Sequence, residues 1–143
     1  MKPTQPVFGL NVDPVDAILA QDGGAVLAVI TGTEGPSYRP VGATMTVFPD
    51  RQRVGTLSSG CIETDIALHA IEALDAGRPV AVRYGRGSPF IDIRLPCGGG
   101  LDILLLPRPD RTVLRELAER RRRRIPCTLR IARADGALSL HDD

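Results

Sequence analysis

The chain has 143 residues, of which 43% are hydrophobic and 24% are charged, and its formal net charge is +1. These values are typical of one globular domain and exclude a globally disordered chain. No apolar run approaches the roughly 20 residues of a membrane span, and the near-neutral charge gives no field that would attract nucleic acid or an anionic membrane. The three cysteines form no C-x-x-C pair and no secretory signal is recognisable, which together predict the reducing cytoplasm.

The first part of the chain predicts a short helix, a buried strand and a hairpin. Asp13 is a good N-cap, Pro14 has its φ preset for the first helical turn, and the glycines at 23–24 allow the helix to end. Residues 34–42, EGPSYRPVG, form a loop because their glycines and prolines do not fit a regular element. Apolar and branched residues predict strands at 25–33, 43–48 and 53–57.

The middle of the chain predicts a second helix and further strands. One helical face collects Ile62, Ile66, Ala70 and Leu74, and the helix closes at Gly77. The strands that follow are expected at 80–84, 90–95 and 101–107. The order helix, three strands, helix, three strands predicts a fold of the α/β or α+β class, with a mixed β-sheet flanked by helices.

The balance of charge changes along the chain. Residues 1–107 carry eight basic and 11 acidic side chains, whereas residues 108–143 carry ten basic and six acidic ones. This seam predicts a core over residues 12–107, followed by an appended linker-like segment in a single-domain chain. In that segment we expect a helix that begins at Asp110, and then a small hairpin. The arginines at 120–124 indicate the charged end of a surface helix rather than a nucleic-acid patch, because no aromatic residues interleave with them.

The first local candidate for a site is the sequence SSGCIE at 58–63. A strand runs into a glycine turn and a helix begins there, so free backbone N–H groups and the positive end of the helix dipole should point into the turn. An anion could bind at these groups, and Cys61 would be more acidic than a free cysteine. The plain alternative is that Ser59 or Gly60 caps the helix and Cys61 fills the core.

Two other segments are candidates for binding. In PCGGG, residues 96–100, three successive glycines after Cys97 let the backbone approach a ligand closely and expose its amides. The alternative is a flexible turn between two strands. Arg39 is held between proline and glycine residues, a setting that suits recognition of phosphate or carboxylate. Its alternative is an ordinary solvated loop arginine.

Together, the segments GPSYRPVGATMTV, GTLSSGCIETDIALHAIEAL and LPCGGGLDILLLP resemble the N-terminal domain of the XdhC/CoxI family. The resemblance covers residues 12–107. Members of that family are maturation chaperones rather than enzymes, and they serve molybdenum hydroxylases such as xanthine dehydrogenase. They bind molybdenum cofactor (molybdopterin) as cargo, protect it and hand it to the apo-enzyme. They commonly carry a second, Rossmann-like domain, which is absent from these 143 residues.

The resemblance implies a set of site residues. Cys61 matches the cysteine of the family's S-G-G-C-x-E signature, with Ser59 where glycine is usual, while Cys97 matches its C-G-G turn and Arg39 its R-P-x-G loop. The implied cofactor-binding residues are Arg39, Ser58, Ser59, Gly60, Cys61, Glu63, Cys97, Gly98, Gly99 and Gly100. Cys61 and Cys97 are the implied contacts to molybdenum, because thiolates suit a soft metal centre. No catalytic residue is implied.

The resemblance also implies partners. These are a molybdenum hydroxylase of the xanthine dehydrogenase type and, in that branch of the family, a cysteine desulfurase that sulfurates the cofactor. A homodimer is left open, and neither nucleic acid nor a membrane is expected. We further expect both cysteines to line one cleft, because the strand before Ser58 and the strand after Gly100 can be neighbours in one sheet.

Two alternative functions remain open. The first is a thiol-dependent sulfur-transfer or redox protein that uses Cys61 near the start of a helix, although no base or resolving cysteine is evident nearby. The second is a module that docks on a hydroxylase or desulfurase through protein contacts alone, for which the arginine-rich helix and the hairpin are the candidate surfaces.

Overall fold

The computed structural model describes residues 12–58, 60, 62–85 and 99–142. Within these ranges the chain forms three helices, a five-stranded sheet and a two-stranded hairpin. The helices are α1 (Pro14–Leu19), α2 (Glu63–Ala76) and α3 (Arg111–Arg122). The sheet strands are β1 (Val26–Glu34), β2 (Thr44–Val47), β3 (Arg53–Gly55), β4 (Val80–Gly85) and β5 (Gly100–Pro107), and the hairpin strands are β6 (Cys127–Ile131) and β7 (Leu138–Asp142).

The helix starts and stops follow local chemistry. The Asp13 carboxylate accepts hydrogen bonds from the Val15 and Asp16 amides, 2.8 and 3.2 Å away, so it caps α1 as predicted. Helix α2 closes at Gly77, whose φ of 68° is the left-handed conformation that glycine adopts without strain. Asp110 caps α3 through the amides of the first helical turn, which confirms the predicted start of that helix.

Helix α1 is shorter than the sequence predicts. It ends at Leu19, with Ala20 as the C-cap, and does not continue to the glycines at 23–24. The Arg111 guanidinium from the start of α3 donates hydrogen bonds to the last α1 carbonyls, at 2.9 Å to Ile18 and 3.3 Å to Leu19. A distant side chain therefore satisfies the carbonyl groups that a glycine C-cap would otherwise satisfy.

Alternation of side chains along the strands builds two cores, one on each face of the sheet. On β1, Val26, Ala28 and Ile30 belong to one apolar cluster, which α2 covers. Leu27 and Val29 belong to the other cluster, which α1, α3 and the hairpin cover. The apolar side chains of the C-terminal segment, including Leu114, Leu117 and Leu138, pack into this second cluster together with those of β1 and β5.

The predicted fold class is confirmed, but the predicted mixed sheet is wrong. The order is β3-β2-β1-β5-β4, and every pairing between described residues is antiparallel. The strands β3 and β4 do run in the same direction, as a strand–helix–strand unit predicts, but α2 carries the chain from one edge of the sheet to the other. The two parallel strands therefore never become neighbours.

The sheet order also corrects the expected pairing of the two motif strands. β3, which precedes Ser58, and β5, which begins at Gly100, are separated by β2 and β1. The strand predicted at 90–95 lies outside the described residues. Among the residues that are described, no helix has the length and apolar character needed to cross a membrane.

Candidate functional site

The described parts of the three motif segments meet at one end of the five-stranded sheet. Glu34, the last residue of β1, pairs with Gly100, the first residue of β5, and Gly85 at the end of β4 pairs with the same glycine. The start of α2 lies at this end too, since Asp65 in its first turn binds Tyr84 near the end of β4. We call this region, comprising Glu34, Arg39, 56–63 and 99–100, the motif end.

The centre of the motif end is the buried carboxylate of Glu63, the first residue of α2. Its Oε1 atom accepts hydrogen bonds from Thr56 Oγ1 and from the Ser58 amide, both at 2.8 Å. Ser58 Oγ lies 2.6 and 2.7 Å from the two carboxylate oxygens, and the Ile62 amide donates to Oε2 at 3.3 Å. One side chain therefore ties together both flanks of the turn that contains Gly60.

These contacts keep Glu63 ionised. Burial raises the pKa of a carboxyl group, but the hydrogen bonds from the Ser58 and Thr56 hydroxyls and from the backbone amides outweigh burial and hold the pKa of Glu63 below its usual value. The cap residue Ile62 has no side-chain hydrogen bond to the helix, and its own backbone amide donates to the Glu63 carboxylate. The Ser58 and Ile62 amides, which precede the helix, therefore bind a carboxylate of the protein itself.

This finding changes the interpretation of the turn at 58–63. The Glu63 carboxylate is directed into the turn, and the residue is only 6% exposed. It therefore holds the turn in shape from inside. Ser58 is also buried, with its hydroxyl bound to Glu63 and within 3.3 Å of the Gly60 amide. Gly60 is exposed, its φ is 102°, and open space lies where a Cβ atom would stand.

Arg39 connects the R-P-x-G loop to this turn. Its guanidinium donates a hydrogen bond from Nη1 to the Thr56 carbonyl at 2.9 Å, and its own carbonyl accepts one from the Ser37 hydroxyl at 2.6 Å. The side chain is half-buried, so it is an anchored loop arginine rather than a fully solvated one. A guanidinium has five N–H donors, and this bond uses one of them.

Gly99 and Gly100 pack tightly against the same loop. Both residues are buried, and a Cβ atom at position 99 would lie 2.6 Å from the Glu34 carbonyl oxygen and closer still to that of Pro36. Gly99 therefore occupies a position that excludes side chains, because the chain's own loop, rather than a ligand, approaches its backbone. The β1–β2 loop accordingly contacts Gly99 at one of its ends and, through Arg39, the 56–63 turn at the other.

The structure differs from the expected cleft between two neighbouring motif strands. The two motif strands are not neighbours, but the loop at 35–42 bridges their ends through the Gly99 and Arg39 contacts. Ser59, Cys61, Cys97 and Gly98 lie outside the described residues. Where the structure does describe the chain, no group of three histidine, cysteine or acidic residues is arranged to hold a metal ion.

Two polar clusters beside the motif end were not identified from the sequence. Arg83 on β4 forms ion pairs with Asp102 on β5, at 2.8 Å, and with Glu34 on β1. This arrangement crosses three strands, and no motif indicates it because strand order is not a local property. A rule that could have found it is the pairing of opposite charges across neighbouring strands, once the β4–β5 register is known.

The second cluster fixes the first turn of α2 to the sheet. The buried Tyr84 hydroxyl donates a hydrogen bond to Asp65 at 2.5 Å, and His69 lies 3.2 Å from both Asp65 and Glu72. Burial, together with the hydrogen bond and negative charge of Asp65, raises the pKa of Tyr84 well above its usual value, so the tyrosine is neutral. His69, which the sequence places two helical turns beyond Cys61, therefore belongs to a helix-anchoring cluster.

Known proteins resemble this chain in sequence and in fold. The sequence profile of the XdhC and CoxI family matches residues 18–85. A protein of Escherichia coli (strain K12) named molybdenum cofactor insertion chaperone PaoD is 43% identical over 91 residues, which cover 64% of this chain and 28% of PaoD. A protein of Bacillus subtilis (strain 168) named as a probable subunit of xanthine dehydrogenase is 44% identical over 52 residues, which cover 36% of this chain and 16% of that protein.

The fold also matches a solved structure. A crystal structure described as a xanthine dehydrogenase from Bacillus halodurans superimposes with a TM-score of 0.70 at 25% sequence identity, over 90% of this chain and 41% of the other. This chain spans less than half the length of each of these relatives. The match agrees with the resemblance seen in the motifs: residues 18–85 of this chain are similar to the XdhC and CoxI family.

Proposed function

We propose that this protein is a maturation chaperone that binds molybdenum cofactor and delivers it to a molybdenum hydroxylase of the xanthine dehydrogenase type. The observation that carries the proposal is the 43% identity to a protein named as a molybdenum cofactor insertion chaperone. The client type is supported by the two relatives whose names refer to xanthine dehydrogenase. In this role the chain binds and transfers its cargo without catalysing a reaction.

The chemistry of the motif end fits such a cargo. Molybdenum cofactor carries a phosphate and a dithiolene, so its site needs donors for an anion and a surface that its rings can approach closely. Arg39 is anchored to Thr56 by one of its donors and can direct others at an anion. Gly60 is exposed beside open space, which allows a ligand to lie against the backbone.

The residues at the motif end divide into two roles in this proposal. Arg39, Gly60, Gly99 and Gly100 line or shape the site, together with Ser59, Cys61, Cys97 and Gly98 of the motif segments. Ser58 and Glu63 are positioning residues, since their polar atoms bind one another inside the turn. The cysteine thiolates at 61 and 97 would be soft ligands for molybdenum, and sulfuration of the cargo by a cysteine desulfurase would take place on the bound cofactor.

The test is retention of released molybdenum cofactor by the purified protein after free ligand is removed. We expect clear retention by the wild-type protein, a strong loss with Cys61→Ala and a smaller loss with Cys97→Ala. Cys127→Ala is the matched control, because Cys127 packs against the cluster on the other face of the sheet. Retention no better than that of an unrelated protein would overturn the proposal. Firm association with a hydroxylase in the absence of retention would favour the docking-module alternative.

Gly99 offers a steric test of the same site. A side chain at this position would collide with the carbonyl oxygens of Glu34 and Pro36, so Gly99→Val should displace the loop that holds Arg39 and reduce retention. Gly23→Val is the control for a substitution strained only in its backbone: the φ of 122° disfavours valine, but a Cβ there meets nothing within 4 Å and the residue lies outside the motif end. Equal retention by the two variants would contradict the placement of the site.

The structure also bears on the thiol-enzyme alternative. A cysteine activated at a helix start depends on unoccupied amides and an uncompensated dipole. Here the Glu63 carboxylate accepts the Ser58 and Ile62 amide hydrogen bonds and adds a negative charge beside them. This arrangement favours cargo binding over nucleophilic catalysis at Cys61. A Cys61 alkylation profile with an apparent pKa far below ~8.5 would reverse that preference.

A further inference from the structure

A cavity of about 310 Å³ lies between β4, β5 and the turn that joins β6 to β7. This volume is in the range of pockets that bind small ligands. Aliphatic residues form part of its lining, and Thr31, Arg83, Asp102 and Arg133 contribute the polar groups. The cavity adjoins the motif end, because the Arg83 guanidinium forms ion pairs with Asp102 in the cavity and with Glu34 in the motif end.

The Asp102 carboxylate is held in place and keeps acceptor capacity for a ligand. Its Oδ2 atom accepts a hydrogen bond from Arg83 Nη1 at 2.8 Å. It lies against Gly32 on β1, where a Cβ atom would stand 2.8 Å from Oδ2, so glycine at this position leaves room for the carboxylate. In the described part of the chain no hydrogen bond reaches Oδ1, and the side chain is 50% exposed. Asp102 can therefore accept further hydrogen bonds.

Strand β1 is irregular where it lines this cavity. Its register with β5 shifts between Ile30 and Gly32, which makes Thr31 the extra residue of a β-bulge. The Thr31 hydroxyl donates a hydrogen bond to the Asp102 carbonyl at 3.3 Å. Bulges re-aim side chains, and this one adds Thr31 to the lining of the cavity.

Arg133 adds a cation to the cavity from the hairpin. It lies in the turn between β6 and β7, and this turn packs on the sheet at Gly136, where a Cβ atom would stand 2.9 Å from Pro79 Cγ. Arg133 is exposed, and none of the residues that the structure describes forms a hydrogen bond or an ion pair with its side chain. Its five N–H donors are thus available to a ligand.

These groups define the chemistry of a ligand for the cavity. Glu34 and Asp102 share the Arg83 guanidinium, which leaves one negative charge in that cluster, and Arg133 adds one positive charge. A fitting ligand has N–H donors on one edge, an acceptor beside them and no net charge to bury. The pyrimidine end of a pterin has this pattern, since an amino group and a ring N–H share one edge and a carbonyl oxygen lies next to them.

We propose that this cavity binds the pterin ring of the cargo, an inference that rests on the proposed function. The Asp102 carboxylate accepts hydrogen bonds from the amino group and the ring N–H, and the Arg133 guanidinium donates to the ring carbonyl oxygen. Arginine binds the equivalent carbonyl oxygen of guanine in the same way. Asp102 is two residues beyond Gly100, about 7 Å along β5, so a ligand held here can extend into the motif end.

Titration of the full chain with pterin, followed by the fluorescence of the pterin itself, tests the inference without molybdenum. Lumazine is the matched ligand, because a carbonyl group replaces the amino group and would face the Asp102 carboxylate. We expect wild type to bind pterin about tenfold more tightly than lumazine, or more. Asp102→Asn should lose about tenfold in pterin affinity and most of that preference. Arg133→Gln should lose about threefold or more for both ligands, since both carry the ring carbonyl.

Three further variants control for indirect effects. Glu116→Gln is the control for Asp102→Asn, since Glu116 is also ion-paired and its side chain is similarly exposed at 56%, but it lies on α3. Arg130→Gln, at an exposed position of β6, is the control for Arg133→Gln. Both controls should bind pterin as wild type does. Ala81→Phe replaces an exposed residue of the cavity lining, so it should keep the fold, fill the cavity and lower pterin affinity about tenfold.

The outcomes separate this inference from the proposed function. Equal affinities of wild type for pterin and lumazine, or equal pterin affinity in wild type and folded Asp102→Asn, would overturn the inference even if the protein retains molybdenum cofactor. Guanosine shares the same polar edge, and tighter binding of guanosine than of pterin would also overturn it. The expected preference for pterin in a protein that retains no cofactor would support the pterin site and overturn the proposed function alone.

Discussion

The starts of α2 and α3 both use a carboxylate, but in different ways. Asp110 caps α3 from an exposed position and accepts hydrogen bonds from the Thr112 and Val113 amides, at 2.9 and 3.3 Å, within its own first turn. Glu63 is buried and accepts hydrogen bonds from residues that precede α2, reaching back as far as Thr56. The Asp110 carboxylate caps α3, whereas the Glu63 carboxylate fixes the loop that precedes α2. The motif at residues 58–63 belongs to that second kind of helix start.

The largest expected effect comes from removal of the Glu63 carboxylate. Glu63→Ala removes the acceptor of the buried Ser58 amide and hydroxyl, whereas the Thr56 hydroxyl keeps the Ser58 carbonyl as an acceptor. We expect a loss of about 3 kcal/mol in the free energy of unfolding, because each buried donor left unsatisfied costs about 1–3 kcal/mol. Urea-induced unfolding followed by circular dichroism measures this change. A loss no larger than that of an ordinary cap substitution would remove the distinction between the two helix starts.

Acid should weaken the stabilisation that Glu63 gives to the start of α2. Because the pKa of Glu63 is lower in the folded protein, its ionised carboxylate contributes stability above the unfolded-state value of about 4.3, and that contribution is lost as the pH falls through the folded pKa. Wild type should therefore lose more stability than Glu63→Gln as the pH falls through and below this value. Unfolding free energies measured for both proteins from neutral pH downward test this, and parallel pH profiles would contradict it.

Removal of the Asp110 cap should have a moderate effect. Asp110→Ala should lower the free energy of unfolding by about 1 kcal/mol, the usual value for an exposed N-cap. Cofactor retention should stay at the wild-type level, because α3 lies outside the motif end. Unfolding curves and the retention assay on the same preparation separate the two readouts, and a fall in retention would extend the functional region to α3.

The smallest expected effect is that of Tyr84→Phe. The hydroxyl binds Asp65 in the first turn of α2, and the Asp65 carboxylate can turn to water when the bond is lost, because its side chain is 29% exposed. We expect a loss of about 0.5–1.5 kcal/mol in the free energy of unfolding, typical of one hydrogen bond. Thermal unfolding detects a change of this size. A loss comparable with that of Glu63→Ala would mean that the α2 start depends on the sheet more than on its own carboxylate.

The parts of the fold that the sequence predicts are those set by local chemistry. The caps at Asp13 and Asp110, the glycine stop at Gly77 and the apolar strands depend on residues close together in the chain. Those that fall within the described residues appear in the structure. The order of the strands in the sheet is not set by residues that are close together in the chain. It depends on pairing between strands far apart in the chain, and the described strands pair antiparallel rather than in the mixed sheet predicted from the element order.

The candidate site shows the same division. The sequence identifies Glu63 by its place in a family signature, but not the direction of its side chain, since that depends on hydrogen bonds that reach back as far as Thr56. Arg39 is likewise recognised from its loop, while its bond to the Thr56 carbonyl, 17 residues further along, requires the folded structure. The ion pairs of Arg83 with Glu34 and Asp102 span 49 and 19 residues, and no local pattern predicts them.

The central claim is that the loop held by Glu63 is the cargo site. The most direct test compares molybdenum cofactor retention by Glu63→Gln and by Asp110→Asn, under conditions in which both variants are folded by circular dichroism. A residue that positions a metal-binding loop usually changes affinity by about 10–100-fold, so we predict a loss in that range for Glu63→Gln and wild-type retention for Asp110→Asn. Equal retention by the two variants would contradict the account.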